Sequence, residues 1–311
     1  MIIQYEYTNM RPKTLAIIQD ANQIIAEYQE QGFELTVRQI YYQFVARDLL
    51  PEEWTDLKTG SKNNLKSYTK LTILLGKARL GGLMDWEAIV DRTRIIYKNS
   101  HWDSPWEILE SAAQSYKLDT RENQEYYIEV WIEKNALLGV IEPICKKLDI
   151  TYLPCIGYYS LSSMWRAAGR FISKNKPCII LHLGDHDPSG IDMTRDIRDR
   201  LVTFNVKKLK VIRIALNIDQ VKEYNPPSNP VKLTDSRKDD YISKYGMESW
   251  ELDALSPNVI AELIKKRVNH FTDFRKLQVM IEGGKKTRFK KGQAPHNKGK
   301  TKDNYEPTRI T

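Results

Sequence analysis

The sequence predicts an α/β protein with a helical segment in front of it, and three observations carry that expectation. From about residue 125, short β-branched apolar runs such as "EYYIEVWI", "PCIILHL" and "KLKVIRIAL" alternate with stretches of helical periodicity such as "MWRAAGRFISK" and "GIDMTRDIRDRLV". Strands that alternate with helices form a mostly parallel sheet covered on its faces. Before about residue 100 the apolar positions recur at helical spacing and the intervening residues are often basic. The chain has 311 residues, 41% of them hydrophobic, which suffices for two domains with cores of their own.

Taken in order, "RPKTLAIIQDANQIIAEYQEQG" reads as a helix that ends at Gly32, a residue suited to the left-handed turn after a helix. The next helix starts at Thr36, because "TVRQ" fits a capping box between Thr36 and Gln39. A third covers about 64–79. There Lys62, Lys66 and Lys70 recur every four residues, opposite an apolar face of Leu65, Tyr68, Leu71 and Leu75. Such a stripe, extended by Lys77 and Arg79, suits phosphate contacts, although a merely solvated face is the alternative. The glycine turn and alternating stretch in "LGGLMDWEAIVDRTRII" suggest a hairpin, and three helices joined to a hairpin suggest a winged-helix module over 1–105. A linker helix "WEILESAAQSY" falls within 106–124, and the α/β segment runs over 125–282. Within that segment "NPPSNPVKLTDS" reads as a loop. Ser256-Pro257 starts a long helix, "PNVIAELIKKRVNHFTDFRKL", before the Gly283-Gly284 break.

Composition narrows the classes. No apolar run approaches the roughly 18 residues of a membrane span, and the first thirty residues lack signal-peptide order, so no membrane partner and a cytoplasmic location are expected. Cys145, Cys155 and Cys178 lie in apolar surroundings without CxxC spacing and read as core residues. The net charge of +8 is concentrated at the end. Residues 283–311 hold nine Lys/Arg, including Lys290 and Lys291, against Asp303 and Glu306, while the remainder holds 39 basic against 38 acidic groups. A tail rich in Gly, Lys, Pro and Asn cannot offset its ordering entropy, so it is expected to be disordered unless a polyanion orders it. It reads as a nucleic-acid contact or as a solubilising tail.

The chemistry is concentrated in "ILHLGDHDPSGIDM". In open α/β sheets ligands bind outside the carboxyl ends of the strands. Asp185 and Asp187 follow one strand, Glu133 follows another, and all three should converge at one edge. Clustered carboxylates with spare water positions suit Mg²⁺ or Mn²⁺. The plainer alternative is that Asp185 and Asp187 end a strand and cap the helix at Gly190.

"WIEKNAL" followed some fifty residues later by "LGDHDPSGIDM" resembles the two signature motifs of the Toprim domain. The form is that of the topoisomerase VI A subunit and the meiotic double-strand-break protein, which join a winged helix to a Rossmann-like Toprim sheet. The turn "GYYS" and the segments "RIALNIDQV" and "SWELDALSP" resemble later landmarks of that family. The resemblance implies Mg²⁺ held by Glu133, Asp185 and Asp187 beside a scissile DNA phosphate. Lys134, Glu251 and Asp253 are implied as accessory groups, and His186 is a bystander within reach of a phosphate. "TVRQIYYQFV" resembles the arginine and paired aromatics of the same family. On that helix Val37, Ile40, Tyr41, Phe44 and Val45 form a complete core stripe, so Tyr41 packs, while Tyr42 lies off the stripe one turn after Arg38. An arginine beside a phenol can lower its pKa and bind the phosphate under attack, which makes Tyr42 the candidate nucleophile.

The resemblance implies a 5′-phosphotyrosyl link to double-stranded DNA. With Tyr42 and the metal on different domains, the site is expected between two protomers of a homodimer. Strand passage would require a separate ATPase subunit. Rival readings are a hydrolytic Toprim nuclease, as in winged-helix Toprim proteins of plasmid-clearing defence systems, and a DNA-binding regulator without catalysis. The tail "RFKKGQAPHNKGK" resembles basic motifs of phage-borne endonucleases and hints at a prokaryotic or phage-infected cell.

Overall fold

The computed structural model describes residues 1–57, 59–90, 100–155 and 160–287. These residues group into two compact units: 1–90 with 124–273, and 100–123 with 274–287. The predicted first segment and the predicted sheet segment therefore belong to one unit.

Three helices open the first unit. Helix α1 (Pro12–Glu30) carries proline in its first turn and ends before Gly32, whose φ of 83° is the left-handed conformation that glycine adopts without a Cβ clash. Helix α2 (Val37–Ala46) has the expected capping box: Gln39 N donates to Thr36 Oγ1 at 3.3 Å, and Thr36 N donates to Gln39 Oε1 at 2.8 Å. Helix α3 (Leu65–Leu80) is capped by Asn64, whose Oδ1 accepts from Ser67 N at 2.9 Å. The part of the expected hairpin that is described, 81–90, is not an extended strand. Residues 81–90 form a turn at Gly82 and a 3₁₀ turn at Trp86–Ala88, which Asp85 caps. Only single bridges, Gly81 to Gln4 and Ile89 to Leu35, replace a ladder. The rest of that stretch, 91–96, lies outside the described residues.

The sheet contains β1 (Tyr127–Ile132), β2 (Thr151–Pro154), β3 (Cys178–Leu183) and β4 (Leu209–Ala215), all parallel, in the order β2-β1-β3-β4. Helices α5 (Leu138–Leu148), α6 (Leu161–Ser173) and α7 (Pro188–Thr203) make the crossovers. Alternation along the strands sorts the side chains. Ile128, Val130, Ile132, Ile179 and Leu181 face a core that also holds Leu252 and Ala254, which pack on the second helix, and Ile24, Ile40, Phe44, Leu71 and Leu75 of the first three helices. Trp131, Cys178 and Ile180 face the other side, against Met164 and Phe171 of α6 and Met193 and Ile197 of α7. Each such fully buried apolar side chain contributes roughly 1.5–3 kcal/mol. On that second face Glu129 is fully buried and bound by both Arg170 Nε (2.7 Å) and Nη2 (2.9 Å).

After β4 come α8 (Ile218–Tyr224), β5 (Ser228–Pro230), α9 (Lys238–Tyr245), β6 (Glu248–Trp250) and α10 (Pro257–His270). The Pro-rich stretch expected to be all loop contributes β5, which pairs antiparallel with β6. Ser256 caps α10 as expected, but the long helix ends at His270.

In the second unit, the helix expected within 106–124 is present as α4 (Pro105–Ser115), and α11 (Phe274–Thr287) accompanies it. Helix α11 passes through Gly283 and Gly284 and does not break there. Glycine costs a helix interior only about 1 kcal/mol relative to alanine, which packing can override, and a Cβ at Gly284 would stand 3.5 Å from Leu118. The tail beyond 287 lies outside the described residues. The three cysteines are buried and free, as expected. Among the described residues no helix is long and apolar enough to cross a membrane.

Candidate metal centre

The strand order reverses between β1 and β3: the chain leaves β1 toward β2 and leaves β3 toward β4. Such a reversal opens a crevice at the carboxyl ends of the two strands. Glu133 follows β1, and Asp185 and Asp187 follow β3. Glu133 N donates to Leu183 O at 2.8 Å, which extends the pairing to the edge, and Asp185 N donates to Glu133 Oε2 at 2.8 Å. Glycine at 184 makes room for this contact, since a Cβ there would fall 2.8 Å from Glu133 Oε2. Asp185 Oδ1 accepts from Leu252 N at 2.7 Å. Asp187 is the N-cap of α7, its Oδ1 accepting from Gly190 N at 2.7 Å and from the Ser189 hydroxyl at 3.1 Å. The capping role and the clustering of acids thus hold together. Among the described residues, Glu133 Oε1 and Asp187 Oδ2 have no hydrogen-bond donor.

Burial dominates the electrostatics. Burial and the neighbouring Asp185 push the Glu133 carboxyl up to about 7. Burial pushes Asp185 up to about 6, against the pull of Lys134 and the Leu252 amide. Lys134 Nζ reaches Asp185 Oδ2 (3.0 Å), Glu251 Oε2 (2.7 Å) and Asp253 Oδ2 (3.3 Å). Burial opposes its charge, yet the three acids outweigh burial and hold the ammonium above its usual range. Glu251 also pairs with Arg38 Nη2, and Asp253 lies 3.1 Å from Arg38 Nε. Despite burial, these cations hold Glu251 down at about 2. Asp253 is 1% exposed, and neither of its oxygens has a hydrogen bond of proper direction, so its ion pairs are contacts of distance only.

Tyr42 joins this network, but not as the sequence suggested. The helical spacing places it off the core stripe, yet it is 3% exposed, like Tyr41, because the β6–α10 segment carrying Glu251 covers α2. The Arg38 guanidinium carbon stands 5.8 Å from the Tyr42 ring centre. The expected lowering of the phenol's pKa is reversed: burial and the Glu251 carboxylate raise it, and Arg38 and Lys134 oppose them without prevailing. The charge of Arg38 is committed to Glu251 and Asp253. Tyr41 packs as expected, its hydroxyl held at Asn63 and Asn64. Arg38 and Tyr42 meet the acids of their own chain. The geometric reason for expecting two protomers, namely Tyr42 and the acids on separate domains, is therefore absent.

Other candidates separate. Lys62 precedes α3, pairs with Asp48 at 2.8 Å and with Glu52, and so leaves the expected stripe. Leu65, expected on the apolar face, is 77% exposed. Lys66, Lys70 and Lys77 are exposed, with Lys70 over the Trp54 ring and Arg79 over Trp86. His186 is buried, its Nδ1 2.7 Å from the Tyr241 hydroxyl, and burial lowers it to about 4. It is a neutral part of the core and has no reach to a phosphate. The turn "GYYS" (157–160) falls largely, and Lys290 and Lys291 entirely, outside the described residues.

One residue escaped the sequence reading. Arg213 of β4 donates to the carbonyls of Gly184 (2.9 Å), Gly190 (2.8 Å), Leu216 (3.2 Å) and Asp185. The available signal was a lone arginine inside the apolar strand "VIRIAL", because a charge in a buried strand needs partners.

Five acids (Glu133, Asp185, Asp187, Glu251, Asp253) lie near three cations (Arg38, Lys134, Arg213), an excess of two negative charges once all five are ionised. Among the described residues no three His, Cys, Asp or Glu side chains stand close enough together to hold a metal as they are. Mg²⁺, however, is often held by one or two carboxylates together with waters and substrate phosphates, and the open oxygens of Glu133 and Asp187 fit that mode. No family model matches the chain, and no curated protein matches it.

Proposed function

We propose that this chain is a Mg²⁺-dependent enzyme that cleaves duplex DNA, similar in chemistry to the topoisomerase VI A subunit, with Tyr42 as nucleophile. The observation that carries the reading is the pair of Glu133 and Asp185. They are forced together at the strand-order reversal with raised pKa values, next to an open oxygen of Asp187. Crowded acids of this kind are costly without a cation. Bound there, Mg²⁺ or Mn²⁺ would stabilise the charge that develops on the phosphate and its leaving oxygen.

Arg38 and Lys134 are the cations nearest Tyr42 and would orient the phosphate as it displaces their carboxylate partners. The Tyr42 oxygen attacks phosphorus and its proton leaves to solvent. The bond from phosphorus to the 3′ oxygen breaks, and that oxygen takes up a proton. The products are a 5′-phosphotyrosyl link and a free 3′-OH. The exposed lysines of α3 supply sequence-independent phosphate contacts. A homodimer would cut both strands, and strand passage would need a separate ATPase subunit.

The burial and raised pKa of Tyr42 favour a second reading, hydrolysis by water at the same acids, with Tyr42 as a DNA contact. The test is supercoiled plasmid incubated with Mg²⁺ or Mn²⁺ and stopped with SDS, with and without protease. Protein-linked ends that vanish in Tyr42→Phe support transesterification, and free ends that persist in that variant support hydrolysis. No cutting with either metal, by protein that binds DNA, leaves the regulator.

A further inference from the structure

We propose that Arg213 is the positioning residue of the candidate metal centre: its guanidinium holds the backbone of the Gly184–Gly190 loop so that the open oxygens of Glu133 and Asp187 face one divalent cation beside Asp185. The inference rests on the metal reading above and adds to it the residue that shapes the site.

The geometry is specific. Arg213 Nη2 donates to the carbonyls of Gly184, Asp185 and Leu216, and Nη1 donates to that of Gly190 at 2.8 Å. The fork thus ties both ends of the acidic loop, the strand exit at 184–185 and the first turn of α7 at 190, to β4. Among the described residues Arg213 forms no ion pair with a carboxylate, although Glu133, Asp185 and Asp187 are the acids that act on its charge. It therefore compensates their repulsion through the backbone while the open oxygens of Glu133 and Asp187 stay available. Lys134 differs, because its ammonium lies directly on Asp185 Oδ2. The space is tight: a Cβ at Gly184 would stand 3.2 Å from Arg213 Nη1, and one at Gly190 would stand 2.3 Å from the Asp185 carbonyl oxygen. Lysine keeps the charge but carries its donors on a single nitrogen in place of a planar fork, so it cannot span the carbonyls at 184, 190 and 216 in this arrangement. Groups that orient metal ligands typically change metal affinity by 10- to 100-fold when they are replaced.

The test titrates Mn²⁺ into metal-free, full-length protein by electron paramagnetic resonance and calorimetry, for the wild type, Arg213→Lys and Gly190→Ala. Metal-free thermal unfolding of each variant is run alongside, and binding is measured well below every transition. Gly190→Ala perturbs the same loop from the opposite side and decides the matter if Arg213→Lys does not fold. The expected result is a Mn²⁺ dissociation constant weakened about 10- to 100-fold in the folded variants. A purely structural role would lower the unfolding temperature and leave that constant unchanged. Wild-type affinity in a folded Arg213→Lys protein, or in Gly190→Ala where only that variant folds, overturns the inference and leaves the metal reading intact. A wild type that binds no Mn²⁺ removes the metal reading and this inference with it.

Discussion

Replacing Glu133 with glutamine should make the metal-free protein more stable at pH 8 and leave it nearly unchanged at pH 4. Glutamine keeps an oxygen to accept the Asp185 amide, so the 2.8 Å hydrogen bond survives and only the charge goes. Glu133 titrates at about 7 in the fold against an ordinary 4.5. Between those values the native state binds more protons than the unfolded chain, so stability falls as pH rises through the window and the loss is complete above it. Moving a carboxyl that far corresponds to about 3 kcal/mol. Asp185 titrates with it as a pair, so its own rise is not added. For a unit of this size, about 3 kcal/mol shifts the midpoint by about 6–12 °C. Calorimetry of wild type and Glu133→Gln in chelator, from pH 4 to pH 8, provides the comparison. The curves should meet near pH 4 and diverge as the pH rises. Mg²⁺ should restore wild-type stability at pH 8 and do little for the variant, because only the ionised acid gains from the cation. Equal pH profiles for the two proteins would refute the reasoning, since Glu133 would then carry no buried charge.

The same contacts set other outcomes. Lys66→Ala and Lys70→Ala should each reduce the slope of log affinity against log salt for DNA by about 1, as read by fluorescence anisotropy. Lys62→Ala should leave that slope in place, because its ammonium is engaged with Asp48 and Glu52. Arg170→Met leaves Glu129 buried without its bidentate partner and should cost about 3–5 kcal/mol in urea unfolding; a loss below about 1 kcal/mol would mean that water reaches the acid. Mixing Tyr42→Phe with Glu133→Gln should restore no plasmid cutting, since Tyr42 contacts the acid network of its own chain through Arg38 and Glu251. Recovery in the mixture would mean that the site forms between two chains.

Much of this was legible in the sequence because it is local. The capping box at Thr36, the alternation of β1 to β4 with α5 to α7, and the convergence of Glu133 with Asp185 all follow from spacing along the chain and from the chirality of parallel crossovers. The features that escaped depend on contacts distant in sequence. Helical periodicity leaves Tyr42 outside the core stripe, and only the approach of a segment more than 200 residues later buries it. The stripe through Lys62 assumes that the helix has already begun, whereas Asn64 starts it two residues later. Strands β5 and β6 have three residues each, too few for a period to register.

The apolar interior that runs without a gap from α1 to α3 into the sheet has an architectural consequence. The front helices are not a detachable cassette. A fragment ending before β1 would lose the segment 252–254 that packs on α2, so a truncation meant to isolate the nucleic-acid contact should aggregate, and any evolutionary swap of that portion must bring a matching covering segment with it.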